Sequence, residues 1–398
     1  MTPEEAKQFY EECGSIRAAS RASGIPRTTF RRLLKKSGLE VDDNKTDDLT
    51  LKVRKQEKII QNLSRELKKA QNELLTNQEV RQHILQIKEK DSGAVPAWTV
   101  QQKDHSLDDN IPCAILSDTH WGETIDSRQV FGLNEFNMTI GERRLSHFVN
   151  NIFFLIDNHL APRKYPGLVF CLGGDMISGD IHQELSETNE HQVLPVFLDL
   201  YQNLRYAIWL LAEKFGKVFI PCVYGNHGRL NKKPQHKNQA YKNLDWMLYH
   251  LLADYFQDDD RVSFLVGDDD EVQFQVLNHT YRLTHGAQFR GGTGFVGSLA
   301  PISRGEHKKR IVSQSQNTMY DTLVIGHFHR CMWLPNTIVN GSLCGYNEFA
   351  ADNNLEYEAP KQMFWLTDPK YGKTSPLEVW CDEPKSELEV QQFEQVVF

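Results

Sequence analysis

The stretch PCAILSD, residues 112–118, followed by Thr119-His120, is a short apolar run that ends abruptly in a carboxylate and an imidazole. A run of this length bounded by polar residues reads as a buried strand. The same grammar recurs four times. GLVFCLGGD (167–175) ends in Gly174-Asp175, VFIPCVYGN (218–226) runs into Asn226-His227-Gly228-Arg229, EVQFQVLNHTYRLTHG (271–286) is a hairpin ending in His285-Gly286, and TLVIGHFH (322–329) ends in His327-Phe328-His329. NTIVNGS (336–342) and QMFWLTD (362–368) are further strand-like runs, and 142–160, 192–215 and 240–256 read as helices. Strands alternating with helices predict an α/β domain over 110–380, whose ligands collect at the carboxyl ends of the strands.

The residue types at those ends are chemically selective: carboxylate, imidazole and one amide. On extended backbone, residues i and i+2 share a face, so Asp118 with His120, and His327 with His329, are expected to aim at common points. Glycines 173, 174, 225, 286 and 326 remove side chains where backbones must crowd one site. Any one of these pieces alone would read as structural; five together predict a metal centre.

The ordered set Asp-x-His, Gly-Asp, Gly-Asn-His, His-Gly, Gly-His-x-His resembles the calcineurin-like metallophosphoesterase superfamily, over roughly residues 111–345. The resemblance implies a four-layer αββα sandwich, two mixed sheets flanked by helices. It also implies two divalent metals sharing Asp175 as a bridge, with Asp118, His120 and His329 completing one shell and Asn226, His285 and His327 the other. The chemistry agrees: two cations roughly 3.5–4 Å apart need a bridging carboxylate, clamp a phosphate's attacking and leaving oxygens, and acidify a bridging water into the nucleophile. The departing alkoxide needs a proton, and His227 is the candidate general acid. Oxygen and nitrogen donors without a thiolate favour Mn²⁺, with Fe, Zn or Mg as alternatives. Two departures from the family pattern stand out. Gly228 and Arg229 follow Gly-Asn-His where relatives usually carry an acid, which leaves Arg229 to meet substrate phosphate. Ser178 stands where several relatives carry a ligand-type residue, leaving Asp180 and His182 as supporting candidates.

Residues 1–40 read as three short helices. From 13 to 39 there are seven Lys/Arg and no acid. Gly24 turns the chain between the second and third helices, and Arg27, Thr28, Thr29, Arg31, Arg32 and Lys35 lie on the third. This segment resembles the helix-turn-helix of resolvases, transposases and other small bacterial DNA-binding modules, which implies DNA contacts by those six residues. Over 48–90, Val53, Ile60, Leu67 and Leu74 recur every seven residues, interleaved by Leu49, Gln56, Leu63, Ala70, Asn77 and Ile84, predicting a coiled coil and self-association.

Composition sets the outer limits. Of 398 residues, 40% are hydrophobic and 25% charged, an ordinary globular balance. The net charge of −8 conceals an asymmetry: 1–92 hold 19 Lys/Arg against 15 Asp/Glu, and the other 306 residues hold 26 against 38. The seven cysteines never form CxxC, excluding a zinc ribbon and suiting a reducing cytoplasm. No run is long and apolar enough to span a membrane, so a membrane partner is not expected. Basic runs at 228–244 (Arg229, Lys232, Lys233, Lys237, Lys242) and 304–310 are candidate phosphate tracks; Gly291–Gly294 reads as a flexible loop, His147, His159 and His250 as packing or surface residues, and 381–398 as an acidic tail. The expected function is a two-metal phosphoesterase, a DNA nuclease with His227 as general acid; the alternative is a phosphomonoesterase with a localising head.

Overall fold

The structure is a computed structural model that describes residues 1–39, 93–100, 110–160, 164–181, 183–234, 237–290 and 297–383. The chain divides into two compact units, Met1–His83 and Ile84–Phe398. The expected coiled coil over 48–90 and the loop Gly291–Gly294 lie outside the described residues, as does most of the acidic tail.

The first unit has three helices: α1 (Pro3–Cys13), α2 (Ile16–Ser23) and α3 (Arg27–Lys36). Thr2 and Glu5 form a capping box on α1, and proline occupies its first turn. Gly14 ends α1 at φ 68°, where a side chain would be strained, and Ser15 caps α2 by accepting Ala18 N–H. Ser15→Ala therefore costs about 1 kcal/mol. Ala6, Ile16, Ala19, Phe30 and Leu34 form the small core. On α3 this leaves Arg27, Thr28, Arg31, Arg32 and Lys35 exposed and Thr29 half-buried.

The second unit is built on two mixed sheets. The first runs β11-β10-β1-β2-β3-β4, with β1 (Ile111–Leu116), β2 (Leu168–Leu172), β3 (Val218–Cys222) and β4 (Val262–Val266) parallel; β10 (Lys361–Asp368) and β11 (Gly372–Trp380) continue antiparallel. The second runs β5-β6-β7-β9-β8, from β5 (Glu271–Val276), β6 (His279–Thr284), β7 (Thr322–Ile325), β8 (Met332–Leu334) and β9 (Thr337–Val339). Strand alternation sorts the core into layers. Ala114, Leu116, Phe170, Leu172 and Ile220 face α4 (Met138–Phe154), α5 (Val193–Phe215) and α6 (Leu244–Tyr255). Cys113, Ile115, Val169, Cys171 and Phe219 face the other way, onto Phe274, Tyr281, Leu283, Val324 and Ile338 of the second sheet. The second sheet's far side, Leu323, Ile325 and Val339, packs with Ile302 of α7 (Leu299–Gln316). Strands β1 to β3 are buried on both faces, which is why they read as continuous apolar runs. Each large apolar side chain so buried contributes about 1.5–3 kcal/mol.

Strands β4, β8 and β11 and the long helix α7 were not expected from sequence, nor were the short helices Ala97–Val100, Gln183–Thr188 and Glu348–Asp352. The basic run 304–310 lies on α7. The segment before β1 and the residue after β11 belong to the body: Val95 and Trp98 pack into the inter-sheet core, Cys381 is fully buried, and Asp382 pairs with Arg144 at 2.9 Å. All seven cysteines are free thiols. No helix among the described residues is long and apolar enough to cross a membrane.

Candidate metal centre

The loops following β1, β2, β3, β6 and β7 meet, and with them the residues singled out in the sequence. Asp118 Oδ1 lies 3.3 Å from His329 Nε2, and His329 Nε2 lies 3.1 Å from His120 Nε2. Asp175 Oδ2 lies 2.8 Å from His285 Nε2, and one donor atom each from Asp175, His285 and His327 falls within 4.8 Å of the others. Asp175 also clusters with His120 and His227 within the same limit. The His327 N–H donates to the carboxylate of Asp118 at 3.0 Å, tying the two halves together. Asn226 sits between two anchors, Gly225 N–H on Asp245 and His227 N–H on Asp175 Oδ1 at 2.6 Å.

The expected means of convergence is corrected. β1 ends at Leu116 and β7 at Ile325, so Asp118, His120, His327 and His329 lie beyond the strands and do not share a face through strand alternation. They are aimed by left-handed backbone instead: φ is 52° at Asp118, 43° at His120, 49° at Asp175, 66° at His327 and 52° at His329. Among the described residues these are five of eleven non-glycine positions at positive φ, so the strain is gathered at the site. Each such residue costs about 1–2 kcal/mol, a price the surrounding packing must offset. Glycine is required where the loops touch: a Cβ on Gly225 would collide with the carboxylate and backbone nitrogen of Asp175, and one on Gly326 with Asp118 and Ser117.

Electrostatics divides the site into matched halves. Burial alone would raise Asp118, but the hydrogen bond and charge of His329 outweigh it and hold the carboxyl below its usual range. Asp175 is likewise buried, and the charges of His285 and His227 hold it well below that range. Burial pulls His285 down, yet Asp175 outweighs it and raises the imidazole to about 10. His329 is raised despite burial, through Asp118. The other imidazole of each half goes the opposite way: burial, then His227 and His329, lower His120, while burial and His285 lower His327 to about 4. One imidazole per half is thus raised by a carboxylate, and the other is lowered by burial and its neighbours. The two buried carboxylates favour positive charge between these loops.

The residues fit two divalent cations on a second observation. Asn226 Oδ1 is buried without a hydrogen-bond partner among the described residues, as is His120 Nδ1. An amide oxygen left so is costly, and cation coordination is a use for it.

Three neighbours of the site, Glu123, Asp245 and Cys344, were not legible in the sequence. Glu123, buried, stands 3.5 Å from His120 Nδ1 with its other oxygen held by Asn347 at 3.0 Å, so a carboxylate lies beside the imidazole without a hydrogen bond to it. Burial raises its carboxyl. Asp245 Oδ2 accepts the N–H groups of Asp175 and Gly225, both at 2.9 Å. Cys344 Sγ falls within 4.8 Å of a ring nitrogen of His120 and of His329, and it hydrogen-bonds with Ser342 Oγ at 3.2 Å. Burial pushes this thiol well above its usual range. Ser178 supports His227 through its backbone: its carbonyl lies 2.9 Å from His227 Nδ1, supplying the orientation that a following acid would give. Asp180 is exposed and His182 lies outside the described residues. Arg229 is engaged within its own loop, donating to the carbonyls of Asn231 at 3.0 Å and Lys232 at 3.3 Å.

No family model matches the chain, and no curated protein matches it. Solved structures do. Wild-type Vps29 from Entamoeba histolytica complexed with Zn²⁺ is 11% identical, with 68% of this chain and 100% of that one covered at a TM-score of 0.26. Vacuolar protein sorting 29 from Cryptosporidium parvum is 14% identical, covering 68% and 97% at 0.27. A conserved protein from Streptococcus pneumoniae, described as a predicted phosphoesterase, is 10% identical, covering 68% and 97% at 0.25.

Proposed function

We propose that this chain is a two-metal phosphoesterase that hydrolyses phosphodiester bonds, with DNA as the substrate. The observation that carries the reading is the position of Asp175, whose carboxylate clusters with His120 and His227 on one side and with His285 and His327 on the other. Asp118, His120 and His329 would hold one divalent cation, Asn226, His285 and His327 the other, and Asp175 both. Mn²⁺ is the ion we favour for these oxygen and imidazole donors, with Fe, Zn or Mg as alternatives. When bound, the pair supplies an acidified water and neutralises charge building on phosphate oxygens.

The chain's own residues do the rest. His227, its Nδ1 against the carbonyl of Ser178, presents Nε2 on the opposite edge of the ring, suited to protonate a departing alkoxide. Its ring stands 4.5 Å from that of His120, so proton donor and ligands share one space. Glu123 stands beside His120, and Asp245 holds Asp175 in place. The three-helix head supports the choice of DNA: Arg27, Thr28, Thr29, Arg31, Arg32 and Lys35 would meet a duplex, and tethering raises its local concentration at the metal site. Self-association through the heptads of 48–90 belongs to the same proposal.

The test is incubation of the full chain and Mn²⁺ with labelled single- and double-stranded DNA, beside p-nitrophenyl phosphate and its bis ester. DNA degradation that disappears in Asp175→Ala supports the reading. Turnover of the monoester with DNA left intact overturns the nuclease and favours a phosphomonoesterase.

A further inference from the structure

The loop that leaves His285 leads, three to five residues later, into a second feature. Gln288 and Arg290 from this loop, Arg282 from β6, and Arg304 and Lys308 from α7 line a cavity of about 250 Å³. Glu271 and Lys309 complete its charged lining and pair with each other. Five cationic side chains therefore meet one carboxylate, in a unit whose sequence is strongly acidic.

Arg282 makes this a built site. It is 4% exposed, its Nη2 donates to Gln273 and to the Thr318 carbonyl at 2.7 Å, its Nη1 donates to Ser313 Oγ and lies 3.3 Å from Glu271, and the guanidinium stands 4.9 Å over the Tyr320 ring. Its Nε is buried with no hydrogen-bond partner among the described residues. A guanidinium held this way fixes its positive charge in the cavity wall, where it favours an anion. Around the rim, the exposed side chains of Arg290 and Lys308 add mobile charge. The volume lies below the range usual for small-molecule pockets and suits a phosphate with part of its sugar.

We propose that this cavity is a phosphate subsite, holding a backbone phosphate of a polynucleotide whose scissile phosphate lies at the metal centre. This rests on the phosphodiesterase reading above; the shared chemistry, a phosphate group, could also be supplied by free inorganic phosphate, and the test separates the two.

The test compares the full chain with Arg290→Gln/Lys308→Gln, two exposed positions whose neutral replacements leave the fold intact. A charge-matched control, Lys164→Gln/Lys370→Gln, removes two cations elsewhere. With Mn²⁺, the ratio of kcat/KM for a single-stranded oligonucleotide to that for bis(p-nitrophenyl) phosphate falls about tenfold in the first variant and not in the control. The slope of log affinity against log salt also shrinks by up to about 0.7, the share of the one phosphate the cavity holds. An unchanged ratio, or an equal fall in the control, overturns the subsite. Inorganic phosphate that binds the wild type more tightly than the variant, with oligonucleotide affinity equal in both, overturns the polynucleotide assignment. Should the wild type cleave neither substrate, the phosphodiesterase reading has failed separately. Fluorescence anisotropy of a labelled oligonucleotide then reads the cavity directly: about tenfold weaker binding by the variant alone keeps it, and equal binding removes it.

Discussion

The carboxylate of Asp245, fully buried at the start of α6, accepts the backbone N–H of Asp175 at 2.9 Å. The same oxygen accepts Gly225 N–H at 2.9 Å, so one side chain staples the loop after β2 to the loop after β3. Asp245→Ala strands two buried donors at about 1–3 kcal/mol each. We expect a loss of about 2–5 kcal/mol in urea unfolding and a parallel loss of metal affinity. Asp245→Asn keeps an acceptor and costs less. Equal stability of Asp245→Ala and wild type would remove Asp245 from this role.

Glu123→Gln tests the support of His120. The residue keeps its size and its neighbour Asn347 but loses its charge beside Nδ1. Loss of such a partner weakens metal binding about 10–100-fold. Calorimetry on the variant reads this; unchanged affinity would make Glu123 a packing residue.

Proton release should accompany metal binding. His285 holds its proton up to about 10 in the metal-free site because of Asp175. That proton must leave before Nε2 can ligate, so apparent affinity rises with pH across the neutral range. Calorimetry in two buffers of different ionisation enthalpy counts the protons; affinity and heat independent of pH and buffer contradict the assignment.

A stability prediction lies away from the site. His250 on α6 packs its ring 4.1 Å from that of Trp246, with Nε2 buried and unpartnered among the described residues. Burial depresses its pKa to about 4 from the ordinary 6.5, with Asp268 opposing. A depressed histidine favours folding above its unfolded pKa, and that contribution is lost as pH falls from 6.5 towards 4. The urea midpoint of the wild type should drop over that window and that of His250→Phe should drop less. Parallel profiles contradict it.

What the sequence disclosed depended on how each residue is used. Strands β1, β2 and β3 are buried on both faces, and their apolar runs with abrupt polar ends marked the sheet and the residues that gather at its carboxyl ends. β11 hid because it is an edge strand carrying Pro376, which a central strand does not tolerate. α7 hid because only Pro301, Ile302 and Ser313 are buried along its 18 residues, so no apolar stripe marks it. The left-handed backbone at Asp118, His120, Asp175, His327 and His329 has no signature outside glycine. Glu123, Asp245 and Cys344 act through partners distant in sequence or through ordinary-looking positions, and only the fold places them.

The central claim is that Asp175 lies between two cations. Electron paramagnetic resonance of the full chain loaded with two equivalents of Mn²⁺ tests it without reference to activity. Ions about 3.5–4 Å apart and bridged by Asp175 give an exchange-coupled spectrum. Asp175→Ala should give only the signal of isolated or free ions. Uncoupled Mn²⁺ in the wild type, or coupling that survives in Asp175→Ala, would contradict the shared centre.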